Sequence, residues 1–196
     1  ISEGLARAAC AGEVNGEVVD LRTVLDSDCE LNILTAKDEK GLAVLRHTAS
    51  HVLAQAVQTL YPEAKVAIGP SIDTGFYYDF DHVPFSREDL DAIEKEMKKI
   101  IKKGAKIERF TKSREDAIAY FKEKNEPYKV ELVEDLPEGE EISFYKQGNF
   151  VDLCKGPHLP STGKIKAFKL VSIAGAYWRG DEHNKMLTRI YGTAFA

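Results

Sequence analysis

The sequence predicts an α+β chain, and three observations predict it. Apolar residues recur at helical spacing over residues 42–60, two further stretches starting at Ser86 and Ser113 carry helix start signals, and short β-prone runs gather after Pro62 and again between residues 142 and 170.

Taken in order, residues 1 to about 36 read as a separate small unit. Leu5 to Ala9 resembles the end of a helix, Gly12 and Asn15-Gly16 mark turns, and Glu17-Val18-Val19-Asp20 and Glu30-Leu31-Asn32-Ile33-Leu34 read as short strands. So few elements cannot close a core alone, and the expectation is a domain whose first strands are missing. Thr35, with Asp38 three residues on, is expected to cap the long helix that follows. On that helix Leu42, Leu45, Ala49, Leu53, Ala56, Val57 and Leu60 share one stripe, while His47 and His51 fall nearly opposite, beside Ala54 and Gln58. The histidines are therefore expected to face away from the main core.

Beyond Pro62 the pattern changes to period two. Lys65 to Ile68, the Gly69-Pro70 turn and Gly75 to Phe80 suggest paired strands, with Phe76, Tyr78 and Phe80 on one face and Tyr77 and Asp79 on the other. Ser86 with Asp89 forms a capping signature ahead of Leu90, Ile93, Met97, Ile100 and Ile101, and Gly104 stops that helix. Ser113 with Asp116 opens another, which ends before Pro127. Strands are expected near 128–130, 142–145, 150–153 and 167–170.

Composition narrows the class. With 196 residues, 43% apolar side chains and a net charge of −5, the chain has the balance of a soluble globular protein. It contains no apolar run approaching a membrane span and begins with no basic-then-apolar leader, so a cytoplasmic location is the default expectation. Cys10, Cys29 and Cys154 are scattered and odd in number, which argues against a disulfide framework and for a reduced thiol at Cys154. The basic run Lys95, Lys98, Lys99, Lys102, Lys103, Lys106, Arg109 and Lys112 reads first as a solvated face whose cations complement a helix C-terminus.

The chemistry lies in two spaced pairs, His47-x-x-x-His51 and Cys154-x-x-x-His158. Residues four apart share a helix face, so both imidazoles enter the same space. In Phe150-Val151-Asp152-Leu153-Cys154, inward packing of Val151 and Leu153 leaves Asp152 and Cys154 together on the other face, and Gly156-Pro157 forms a turn that folds His158 back toward Cys154. Four groups able to bind a metal or move a proton are thus expected in one place. More than 100 residues separate the two pairs, unlike the compact spacing of a zinc finger, so a complete domain must assemble the site.

A family resemblance rests on specific runs: His47-Thr48-Ala49-Ser50-His51, Ala67-Ile68-Gly69-Pro70, Gly75-Phe76-Tyr77-Tyr78-Asp79, Val151 to His158, Gly175-Ala176-Tyr177-Trp178-Arg179-Gly180-Asp181, Asn184 to Leu187, and Arg189 to Ala194. Over essentially its whole length the chain resembles the N-terminal region of the bacterial threonyl-tRNA synthetases. The resemblance implies a partial TGS unit of ubiquitin-like β-grasp type over residues 1–36, followed by an editing domain over residues 37–196. That domain is shared more distantly with alanyl-tRNA synthetases and is expected to be α+β with a mainly antiparallel sheet. It also implies hydrolysis of serine esterified to tRNA(Thr), without ligase activity, since none of the class II catalytic motifs occurs in the chain. His47, His51, Cys154 and His158 would surround the ester, with imidazoles titrating near neutrality for proton transfer. Asp152 would bind the substrate amine, Lys129 would stabilise negative charge, and Tyr78 would either stack on the terminal adenine or pack in the core. No metal is expected to be required, and zinc on the same four residues is the alternative. The expected partners are the serine-bearing acceptor end of tRNA(Thr) and the rest of the synthetase, as a homodimer only in the full-length enzyme, with no membrane. Two other classes fit less well: a zinc-dependent trans-editing hydrolase of the alanyl type and a non-catalytic tRNA-binding module. Trp178, Arg179 and Asp181 read either as functional or as a turn held by an ion pair.

Overall fold

A computed structural model describes residues 1–196. In chain order the elements are α1 (Glu3–Ala8), β1 (Ala9–Val14), β2 (Glu17–Val19), β3 (Leu31–Thr35), α2 (Glu39–Leu60), β4 (Lys65–Val66), β5 (Ser71–Ile72), β6 (Gly75–Asp81) and α3 (Arg87–Lys103). There follow β7 (Ile107–Thr111), α4 (Arg114–Glu123), α5 (Pro127–Glu134), β8 (Ser143–Gln147), β9 (Phe150–Leu153), β10 (Ala167–Tyr177) and β11 (Met186–Phe195). Three sheets form, ordered β2-β1-β3, β10-β11-β6-β4 with β5 also on β6, and β7-β8-β9, and every strand pair is antiparallel. The α+β class with mainly antiparallel sheets is the one the sequence predicts. No helix is long and apolar enough to cross a membrane.

The first sheet corrects one expectation. Leu5 to Ala8 are helical, as read, but Ala9 and Gly12, read as the helix end and a turn, lie in residues 9–14, which form the central strand β1. Small side chains give no periodic signal there; tertiary pairing on both edges decides the conformation. Asn15 and Gly16, both at positive φ, do make the two-residue turn joining β1 to β2. Cys10, Ala11 and Leu34 belong to the same apolar cluster as Leu45, Leu53 and Val57, so α2 closes this small sheet.

The helix α2 is the hub. Asp38, rather than Thr35, is its N-cap residue, and the Asp38 carboxylate accepts from the Thr35 backbone N–H at 2.8 Å. Leu45, Ala49, Leu53, Ala56 and Val57 are buried as the stripe predicts, whereas Leu60 is 38% exposed at the helix end. The opposite side is covered too: His51 is 3% exposed, and Val52 and Ala54 are fully buried. A projection shows which residues share a face but not whether a second layer packs over the other one. Phe150, Asp152 and Cys154 supply that layer.

Two helices follow their sequence signals closely. In α3, Ser86 and Asp89 form a reciprocal capping box and Gly104 ends the helix in the left-handed region. In α4, the Ser113 hydroxyl accepts from the Asp116 N–H. The strand expected at 128–130 is instead α5, opened by Pro127 in its first turn, where the fixed φ and missing N–H favour a helix start. Phe76, Tyr78 and Phe80 of β6 point inward and are fully buried. A second apolar cluster of Ala117, Phe121, Val133, Ile142 and Phe144 supports one side of β8 and β9.

Candidate active site

Strand alternation sets the orientation of β9. Val151 and Leu153 pack on the second cluster, so Asp152 faces α2 and is 1% exposed. Beyond β9, Gly156 adopts φ +78°, and a Cβ there would lie 2.0 Å from the Tyr145 hydroxyl, so only glycine lets the chain turn at this point. The turn returns His158 to the cluster, with its Nε2 3.2 Å from Cys154 Sγ, while His47 Nε2 lies 3.5 Å from the same sulfur. The ring centroids of His51 and His158 are 4.2 Å apart. One donor atom from each of His47, His51, Cys154 and His158 lies within 4.8 Å of the other three.

Beside these four sits a buried charge pair. Lys129, in the first turns of α5 and 2% exposed, places Nζ 2.6 Å from Asp152 Oδ1 and donates to the Tyr78 hydroxyl at 3.0 Å. Tyr78 in turn donates to Asp152 Oδ2 at 2.7 Å, and His51 Nε2 is 3.4 Å from that oxygen. The Tyr78 ring is fully buried and stacked on Phe80, the packing that the core alternative describes. A cleft of about 200 Å³ opens onto His47, His51, Gly69, Pro70, Lys129 and Cys154. His47 also borders a second cleft of about 230 Å³ that includes Lys40 and Ser71.

Burial dominates the titration of the cluster. It pushes His47 down to about 4, His51 down to about 3, and His158 well below the usual imidazole range. Imidazoles titrating near neutrality were expected; the desolvation that comes with two-sided packing of α2 makes them neutral bases instead. Burial likewise raises the Cys154 thiol to about 12. At Asp152 burial works upward, but the Lys129 ammonium, with the hydrogen bonds from Lys129 and Tyr78, holds the carboxyl below its ordinary value.

Several supporting groups gave no sequence signal. Asp20, from the small N-terminal sheet, accepts from the His158 backbone N–H at 2.7 Å and from the Tyr145 hydroxyl at 2.6 Å, and pairs with Arg22 at 2.7 Å. Thr48, inside the histidine pair, lies 3.0 Å from His158 Nδ1. Its place in His47-Thr48-Ala49-Ser50-His51 was visible, but its partner was not. Trp178 and Arg179 pack against α5, where Trp178 Nε1 donates to Glu131 and Arg179 pairs with Glu131 and Asp135. Asp181 binds His183, so the anticipated Arg179–Asp181 ion pair gives way to bonds with α5.

Three imidazoles and a thiol this close are a donor set of the kind that holds zinc tetrahedrally. The arrangement also suits hydrolysis: neutral bases next to a buried ammonium–carboxylate pair at the floor of a small cleft.

Comparison with known proteins agrees with this architecture. Residues 1–35 match the TGS domain, and residues 142–191 match the threonyl and alanyl tRNA synthetase second additional domain. The two matches place a TGS unit and a synthetase second additional domain on one chain. The whole chain is 69% identical to the threonine–tRNA ligase of Acetivibrio thermocellus, 65% to that of Clostridium tetani and 63% to that of Caldanaerobacter subterraneus subsp. tengcongensis. It spans 31%, 31% and 30% of those enzymes. Over its whole length the chain is thus similar to the N-terminal region of the threonine–tRNA ligases.

Proposed function

We propose that the chain performs post-transfer editing, hydrolysing the ester that joins serine to tRNA(Thr). Serine lacks only the threonine methyl, a difference worth about 1–3 kcal/mol in a binding pocket, so a synthetic site sized for threonine admits serine and a second, hydrolytic site must sort afterwards. The observation that carries the reading is the convergence of His47, His51, Cys154 and His158 beside the buried Lys129–Asp152 pair.

In this reading His47, the least buried of the three histidines and the one bordering both clefts, accepts a proton from the attacking water. His51 and His158 hold it in place, Asp152 binds the substrate amine, and Lys129 stabilises charge developing on the ester oxygen. Tyr78 acts through its hydroxyl, which fixes the Asp152 carboxylate. A zinc held by the same four donors would polarise the ester carbonyl. The steps assigned here belong to the side chains alone, and no metal is required. Residues 1–36 form a partial TGS unit and residues 37–196 the editing domain. The partners are the serine-bearing acceptor end of tRNA(Thr) and the remainder of a cytoplasmic synthetase that dimerises at full length.

The test is hydrolysis of Ser-tRNA(Thr) by the chain and by His47→Ala, with tRNA binding measured alongside. Hydrolysis lost while binding persists supports the reading. Binding without hydrolysis in the unaltered chain makes it a tRNA-binding module.

A further inference from the structure

We propose that Thr48 is a positioning residue for the cluster: its hydroxyl donates to His158 Nδ1, so the ring proton sits on Nε2 and points at Cys154 Sγ. Thr48 is fully buried, and its Oγ1 accepts the Leu159 backbone N–H at 3.0 Å. The hydroxyl carries one proton, and the only other polar contact it makes is His158 Nδ1 at 3.0 Å. If Nδ1 carried the ring proton, the hydroxyl hydrogen would be left buried without an acceptor, at a cost of about 1–3 kcal/mol. With Nδ1 as acceptor every group is satisfied.

The direction then propagates. His158 Nε2–H and the Gly156 N–H both donate to Cys154 Sγ at 3.2 Å, which leaves the thiol proton to point at His47 Nε2, 3.5 Å away. The chain Thr48, His158, Cys154, His47 thus runs one way and ends on the Nε2 lone pair of His47, which the attacking water of the proposed hydrolysis takes over from the thiol. Its catalytic meaning rests on the proposed hydrolysis, whereas the proton placement does not. The same placement makes His158 Nε2 a donor, so ligation of a metal through that nitrogen would first require moving the proton to Nδ1 and stranding the Thr48 hydroxyl.

The experiment is a long-range proton–nitrogen NMR spectrum of the nitrogen-15-labelled chain at neutral pH, read at the His158 ring. The expected result is a protonated Nε2 and a bare Nδ1 in the unaltered chain and in Thr48→Ser, with loss of that single form in Thr48→Val. A proton on Nδ1 in the unaltered chain overturns the inference even if Thr48→Val fails to fold. With Ser-tRNA(Thr), Thr48→Val should lower kcat about tenfold or more with KM little changed, and Thr48→Ser should restore it. If the spectra are as expected but neither the unaltered chain nor Thr48→Ser hydrolyses the ester, the functional reading fails and the proton placement stands.

Discussion

Lys129 and Asp152 lie 2.6 Å apart, one on a helix and one on a strand, and both are at least 98% buried. Removing one member of such a pair strands a charge away from water, which typically costs about 3–5 kcal/mol. Lys129→Met should therefore lower stability strongly in urea titration, and Lys129→Met with Asp152→Leu should recover most of that loss while remaining inactive. Equal destabilisation by the single and double variants would show that the pair is not the source.

His47 and His158 should separate function from stability. His47 is half-buried and borders both clefts, so His47→Ala should reduce Ser-tRNA(Thr) hydrolysis by about a hundredfold or more with a change in stability under ~1 kcal/mol. His158 is fully buried and bonded on all sides, so His158→Ala should cost about 2–4 kcal/mol as well as activity. Denaturant titrations alongside single-turnover assays check both.

The pH dependence follows from burial. With His47 held down to about 4 and His51 to about 3, both are neutral throughout the neutral range, so hydrolysis should show no inflection near 6.5 from these groups and should fall only as pH approaches 4. For stability the sign is set by the unfolded chain, whose histidines bind protons below about 6.5 while the folded ones do not. Stability is full above 6.5 and is lost as pH falls from there toward 4. The melting temperature should drop by on the order of 5 °C or more across that window. A bell-shaped rate profile centred near 6.5 would contradict the assignment.

Gly156→Ala should be among the most disruptive small changes. The added Cβ would meet the Tyr145 hydroxyl at 2.0 Å and occupy a left-handed backbone position, displacing the turn that carries His158. A loss above ~2 kcal/mol is expected by denaturant titration, with hydrolysis falling in parallel.

Much of this was readable in the residues because local rules governed it. The capping box at Ser86 and Asp89, the stop at Gly104 and the inward face of Phe76, Tyr78 and Phe80 each depend on neighbours a few positions away. The histidine pair and the Cys154–His158 turn are also local, which is why the cluster could be anticipated. What escaped was non-local. Residues 9–14 are a strand because strands pair on both sides, and residues 127–134 are helical because Pro127 starts a turn instead of ending one. Asp20 supports His158 across 138 positions of chain. The depressed imidazoles depend on a second layer over α2 that no helical projection reveals.

The central claim is that this cluster removes serine, not threonine, from tRNA(Thr), and it is tested most directly by single-turnover hydrolysis of Ser-tRNA(Thr) and Thr-tRNA(Thr) side by side, with and without a chelator. The account predicts rapid loss of the serine ester, near-background loss of the threonine ester, and no effect of chelation. Equal hydrolysis of both esters, or activity that vanishes on chelation and returns with stoichiometric zinc, would contradict it.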